Sequence, residues 1–279
     1  MASLWGTIGP ASEMGAGTAG AGALAGWRHL VAGLVMTAMA FRHWATLRRA
    51  GRSWWLWVVT AGVASAAYQV VFLTSISMSG AALGTMVGVA AVPLFAALGV
   101  RFLDRGRVNR AWMLGSAVAL AGCVLLLTPE VPGGTSISAA GVACGICAGA
   151  LFAAYTYCAK QIATRSRATG VNLATGVTML VGAALLAPLL LTGLPHLTRM
   201  SEWLLIAWLG LVATAVAYAL YSHGLREVKA STAGTLSLFE LPSAALLSMV
   251  LLGERLSPVE WLGSAVILAG LLLATARSD

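Results

Sequence analysis

Apolar residues run along the chain in long stretches separated by short polar turns. The stretches fall at about 24–41, 55–78, 81–102, 111–128, 139–160, 171–192, 203–223, 231–252 and 259–276. A bilayer core about 30 Å thick is crossed by a helix of about 20 residues. Backbone polar groups in lipid must bond within their own segment, so each stretch predicts a transmembrane helix. The opening run, Met1–Ser12, is apolar but short. At about 1.5 Å per residue it covers roughly 18 Å.

One string within this pattern occurs twice. Leu-Gly-Ser-Ala-Val-Ala-Leu-Ala-Gly at 114–122 returns at 262–270 as Leu-Gly-Ser-Ala-Val-Ile-Leu-Ala-Gly, matching at eight of nine positions. Trp112 and Trp261 precede the two copies. The chain therefore reads as a duplicated unit: a first repeat over 1–128, a periplasmic connector over 129–138, and a second repeat over 139–279. Aligning the halves sets Leu4-Trp5 near Leu151-Phe152, so the first span reads as truncated at its N-terminus. Each repeat holds five spans, and an odd number makes the second enter the membrane from the opposite side. The expectation is an all-α membrane protein of ten transmembrane helices in two inverted-topology five-helix repeats. That is the architecture of alternating-access transporters. No basic region precedes the first apolar run, so it does not read as a cleaved signal peptide.

Composition excludes a soluble helical protein. Only 9% of residues are charged and 59% are hydrophobic, against about 25% charged in soluble domains. No stretch is long and polar enough for a separate soluble domain. The net charge is +8, and its distribution sets the orientation. Fourteen basic residues fall in alternate loops or the tail: Arg42, Arg48, Arg49, Arg52, Arg101, Arg105, Arg107, Arg110, Lys160, Arg165, Arg167, Arg226, Lys229 and Arg277. Only Arg199 and Arg255 fall in the other set. The positive-inside rule puts the larger set, and both termini, in the cytoplasm of a bacterial inner membrane. The spread over short loops needs no nucleic-acid partner. The other loops carry Glu13, Glu130, Glu202, Glu254 and Glu260.

Chemistry other than transport finds little footing. Cys123, Cys144, Cys147 and Cys158 all lie in spans, and Cys144-x-x-Cys147 lacks the second pair or histidine set that a metal site needs. No protease, triad or phosphate-loop motif is present, so neither an enzyme nor a cofactor or metal site is expected. Gly141, Gly145 and Gly149 form a small-residue stripe that suits packing within the chain, with a homodimer face as the alternative.

Polar residues inside spans are expensive and tend to be functional. Glu240 sits near the middle of the ninth span, two residues before Pro242. Pro242 pairs through the duplication with Pro93 near the middle of the fourth span, whereas the partner of Glu240 falls near Ala91. Each proline lacks an N–H and weakens its helix at mid-depth. Matching interruptions in two halves point to a substrate site, which makes Pro93 and Pro242 candidate hinges and Glu240 a candidate for coupling or substrate binding. A buried glutamate stitching two helices is the competing reading. Arg28, about one turn into the second span, either reaches the interface or holds an anionic group at the outer mouth. His29 reads as a packing or interface residue. Tyr68, Gln69, Tyr155 and Tyr218 lie deep enough to line a cavity. Tyr221, His223 and Trp54, Trp55 and Trp57 read as interfacial anchors.

The stretch Phe239–Gly270, with its near-proline helix centre, Gly253-Glu254-Arg255-Leu256 turn and glycine-rich last helix, resembles the closing repeat of the drug/metabolite transporter superfamily, EamA type. Trp5-Gly6-Thr7 resembles the family's first-span ending, and Arg28 falls where its second span often has arginine. Here Leu241 separates glutamate from proline, and the first half has Leu103-Asp-Arg-Gly-Arg in place of the turn. The resemblance implies a cavity within spans one to four and six to nine, Trp5 among the cavity residues, and spans five and ten as buttresses. It implies export of amino acids and related metabolites, or efflux of drugs and quaternary amines. The expected function is export of small metabolites, amino acids foremost, by alternating access. The expected partners are the lipid bilayer, a small-molecule substrate and protons as coupling ion, in a monomer or homodimer. A non-transport membrane scaffold or enzyme is the reading from another class.

Overall fold

The computed structural model describes residues 1–15, 20–45, 51–106, 108–128, 138–166, 168–193, 197 and 199–276. The connector over 129–137 and Arg48, Arg49, Arg107, Glu130, Arg167 and Arg277 lie outside the described residues. Among the described residues every regular element is helical. The elements are α1 (Ala2–Trp5), α2 (Ile8–Gly15), α3 (Ala21–Met39), α4 (Arg52–Ser79), α5 (Ala81–Phe102), α6 (Arg110–Leu127), α7 (Ala139–Arg165), α8 (Ala168–Leu185), α9 (Ala187–Gly193), α10 (Met200–Glu227), α11 (Ala230–Leu252) and α12 (Pro258–Thr275).

Seven of these are long and apolar enough to cross a membrane: α4, α5, α6, α7, α10, α11 and α12. The protein is a multi-span membrane protein. An eighth crossing is gained if the pair α8 and α9, bent by 66°, is one span. Pro188, the second residue of α9, accounts for the break: it has no N–H to serve the carbonyl four residues earlier, and proline suits the first turn of a new helix. The sequence pattern runs through this bend as a single stretch. In α3, Arg28 and His29 pull hydropathy down, although the helix is 19 residues long. The opening run is helical in two pieces, α1 and α2, separated at Gly6-Thr7.

Starts are set by local chemistry. The Asn109 side chain accepts from the Ala111 N–H at 2.9 Å and caps α6. In the matching position before α12, Ser257 accepts from the Glu260 N–H while Glu260 accepts from the Ser257 N–H, with Pro258 as first residue. Such reciprocal caps satisfy donors that a helix end leaves open.

The two copies of the repeated string pack against each other, antiparallel, as α6 against α12. A Cβ added to Gly115 would lie 2.3 Å from the Ala274 nitrogen, and one added to Gly263 would lie 2.5 Å from the Leu126 nitrogen. Gly270 faces Ala119 at 2.3 Å, as Gly122 faces Ile267 at 2.5 Å. Each contact has its counterpart with the halves exchanged. A second antiparallel pair crosses the halves where Gly33 of α3 meets Leu180 of α8 and Gly176 of α8 meets Thr37 of α3. The Gly141, Gly145 and Gly149 stripe packs within the chain, against Ser79, Val87 and Ala91 of α4 and α5. Small residues let backbones approach where no hydrophobic effect drives helices together.

Candidate functional site

A cavity opens among α4, α5, α7 and α11, with about 560 Å³ of empty space when the solvent at its mouth is included. Its walls are Tyr68 and Phe72 of α4, Thr85, Gly88, Val89 and Val92 of α5, Phe152 of α7, and Ser237, Leu238, Glu240 and Leu241 of α11. The α4 residues come from its second half and the α5 residues mostly from its first. The cavity therefore lies between mid-depth and the α4–α5 turn.

Local structure places Glu240 here. Helix α11 is regular over Ala230–Leu236, tightens to a 3-10 turn over Ser237–Phe239, and resumes at Glu240. The prolines do not interrupt their helices alike. Pro93 is buried inside α5, which continues through it, whereas Pro242 follows the 3-10 turn. Each proline removes the N–H that would serve the carbonyl four residues earlier. Those carbonyls belong to Val89 and Leu238, which both border the cavity.

Glu240 takes no hydrogen bond from any described residue, and its oxygens are not sealed from accessible space. Arg28 is near enough for its charge to act on Glu240, Tyr68 and Tyr218. It bonds through Nε to the Thr214 hydroxyl at 3.2 Å, while its terminal nitrogens have no partner among the described residues. Glu240 thus borders an apolar, aromatic space with Arg28 near it, and no ion pair joins the two residues.

Beyond Phe152 the rings continue into a packed layer. Tyr68 and Phe152 have centroids 5.4 Å apart, and Phe152 is 6.2 Å from both Trp5 and Tyr155. Trp5 then meets Tyr218 at 5.2 Å and Tyr221 at 5.4 Å. Helices α4 and α7 run antiparallel, as the Ser75–Gly141 bond near one end and the Trp54–Ser166 bond near the other show. The layer therefore lies on the side of the cavity away from the α4–α5 turn. Gly6 fixes Trp5 there, because α1 packs so closely on α11 that a Cβ on Gly6 would meet the Ala244 nitrogen at 2.9 Å.

Of the residues singled out in the sequence, Glu240 and Tyr68 border the cavity, Pro93 and Pro242 flank it, and Arg28 stands close to it. Trp5, Tyr155 and Tyr218 are buried in the ring layer. Gln69 is buried and does not border the cavity. Tyr221 is not an interfacial anchor: it is 2% exposed and shares a hydrogen bond of 2.8 Å with Thr156. A hydroxyl partner and two ring neighbours, Trp5 and Tyr218, outweigh the pull of the interface. His29 is a packing residue, fully buried between the Ala25 carbonyl and the Ser65 hydroxyl. Phe72, Thr85, Phe152 and Ser237 were missed. For Phe72 the signal was its position one helical turn after Tyr68.

Known proteins agree with this architecture. The EamA-like transporter family matches the chain over residues 1–128 and 139–276. The chain belongs to that family. It is 34% identical to the uncharacterized transporter YwfM of Bacillus subtilis (strain 168), over 98% of this chain and 90% of that protein. It is 27% identical to the uncharacterized inner membrane transporter YicL of Salmonella typhimurium, covering 90% of this chain and 84% of the relative. A solved crystal structure shares the fold with a TM-score of 0.77 at 22% identity, covering 99% of this chain and 93% of that one. This EamA-type chain is a membrane transporter.

Proposed function

We propose that this transporter exports small zwitterionic metabolites, amino acids foremost, across the bacterial inner membrane by alternating access. One observation carries the reading: Glu240 borders a cavity walled by Tyr68, Phe72 and Phe152, Arg28 stands within electrostatic reach of it, and neither the carboxylate nor the terminal guanidinium nitrogens have a hydrogen-bond partner among the described residues. An α-amino acid offers an ammonium to the first and a carboxylate to the second, and its side chain lies against the apolar wall. The Val89 carbonyl, which Pro93 leaves without its usual helical donor, adds an acceptor for the ammonium. The test is counterflow on reconstituted protein with the common L-α-amino acids and a set of organic cations. Stimulated exchange with amino acids supports the reading; exchange with cations alone removes it. Efflux of cationic drugs is the second reading, and the carboxylate among aromatic rings favours it.

The working architecture is ten spans in two inverted five-helix repeats, with α1 and α2 as the first span. The antiparallel α6–α12 and α3–α8 pairs support it, since each joins matching helices of the two halves. Both termini are cytoplasmic. The cavity then faces outward, and the layer of Trp5, Tyr155, Tyr218 and Tyr221 closes the inner side. With the glycine stripe of α7 used inside the chain, one copy forms the whole site. A reporter active only in the periplasm, fused after Asp279, should stay silent; strong activity would reverse the orientation.

The repeats rock about the cavity-flanking prolines. Replacing Pro93 and Pro242 together by alanine restores both backbone N–H groups and stiffens α5 and α11. Exchange should slow several-fold, with the protein still folded by size-exclusion and thermal unfolding. An unchanged exchange rate in the folded double variant would take the prolines out of the mechanism.

A further inference from the structure

The middle of α10 leaves the α-helical register. Trp208–Val216 is a π-helical stretch, flanked by ordinary helix on both sides. It contains no proline that would explain a distortion. A π turn widens the helix and shifts bonding from the fourth to the fifth residue back, and such turns gather at functional sites. Thr214 follows that register: its hydroxyl donates to the Leu209 carbonyl at 2.7 Å, five residues earlier. The stretch packs tightly on α3, where a Cβ on Gly210 would fall 2.6 Å from Val31.

Thr214 is 0% exposed. A hydroxyl has one hydrogen and two lone pairs. With the hydrogen spent on Leu209, the oxygen faces Arg28 as an acceptor, and the Arg28 Nε–H donates to it at 3.2 Å. Nε is the inner edge of the guanidinium. Held there, the group keeps its two terminal nitrogens as an open fork, and these have no partner among the described residues. A planar fork of parallel N–H groups fits a carboxylate in two-point contact.

We propose that Thr214 is a positioning residue: the π turn of α10 holds its hydroxyl where it fixes Arg28 through Nε and presents the guanidinium fork to the substrate's carboxylate. Thr214 thereby sets selectivity for acids over their neutral counterparts. The inference rests on the reading of the cavity as a zwitterion site, with Arg28 at its carboxylate end. The sequence gives Thr214 no mark, since threonine is common in packed membrane helices.

The test is equilibrium binding to the full chain in nanodiscs. The probes are the common L-α-amino acids, and the α-amide of whichever binds tightest. Thr214→Val keeps the shape and loses the hydroxyl; Thr214→Ser keeps the hydroxyl. Thr214→Val should weaken the amino acid about tenfold and leave the amide within about twofold, and Thr214→Ser should restore selectivity for the acid. Wild-type selectivity in Thr214→Val overturns the proposal. So does an equal loss of both probes that serine does not repair, since that is support of the fold only. Arg28→Gln separates the two levels. If it abolishes acid selectivity and Thr214→Val does not, the positioning role alone falls. If Arg28→Gln binds the amino acid as wild type does, or wild type binds no amino acid, the zwitterion reading falls and takes the role of Thr214 with it.

Discussion

Glu240→Gln should lower exchange and uphill transport of the preferred amino acid together, by about fiftyfold. Glutamine keeps the size of the side chain and removes its charge. A hydrogen bond to a charged group contributes about 1.5–3 kcal/mol, and every 1.4 kcal/mol is about tenfold in affinity. The loss should be felt fully, because no described residue offers Glu240 another partner. Counterflow and pH-driven uptake, measured on the same proteoliposomes, distinguish the roles open to this carboxylate. If it only carries a coupling proton, uphill transport should vanish while exchange persists. If both assays match wild type, Glu240 is merely structural and the ammonium must be sought at the Val89 carbonyl.

The second large effect lies away from the cavity. Gly115→Ala and Gly270→Ala should each destabilise the folded protein by about 2 kcal/mol or more, at the upper part of the usual range for overpacking. An added methyl at these sites meets backbone atoms, the Ala274 and Ala119 nitrogens, at 2.3 Å. A backbone cannot rotate aside as a side chain can, so α6 and α12 must separate along their length. Gly224→Ala is the control. It lies in the last helical part of α10 with nothing within 4 Å of an added Cβ, and alanine there should be neutral or stabilising by up to about 1 kcal/mol. Thermal unfolding followed by tryptophan fluorescence gives the comparison. Equal midpoints for Gly115→Ala and Gly224→Ala would mean that the close approach of α6 and α12 is wrong.

Much of the fold can be read from hydropathy because lipid enforces it. A helix starting at Arg110 and ending at Leu127, expected over 111–128, shows how sharply polar turns delimit a span. The packing of the Gly141 stripe and the cavity position of Glu240 were legible because small residues at helical spacing suit close helix contact and a charge in a span is costly unless used. What could not be read has no local signature. The π stretch at Trp208–Val216 packs on α3 and contains no proline, and its single glycine, Gly210, does not distinguish it from other glycine-bearing spans of this chain. The burial of Tyr221 depends on Thr156 and Trp5, both distant in sequence. The bend before α9 was different, because Pro188 announced it and the apolar run concealed it. Gln69 marks the opposite limit: a polar residue at mid-depth can face away from the cavity.

The seam between α6 and α12 has a property that neither helix has alone. Its contacts are unchanged when the two halves trade places: Gly115 is to Ala274 as Gly263 is to Leu126. Such an interface is isologous, the kind that joins the subunits of a symmetric dimer. Each copy of the repeated string is at once a mould and the cast taken from it. A change in one copy is therefore answered only from the facing copy, not from along its own helix. By the same token, a half-chain carries every seam residue required to pair with a second copy of itself. Within one covalent chain, the halves meet on the terms of a homodimer.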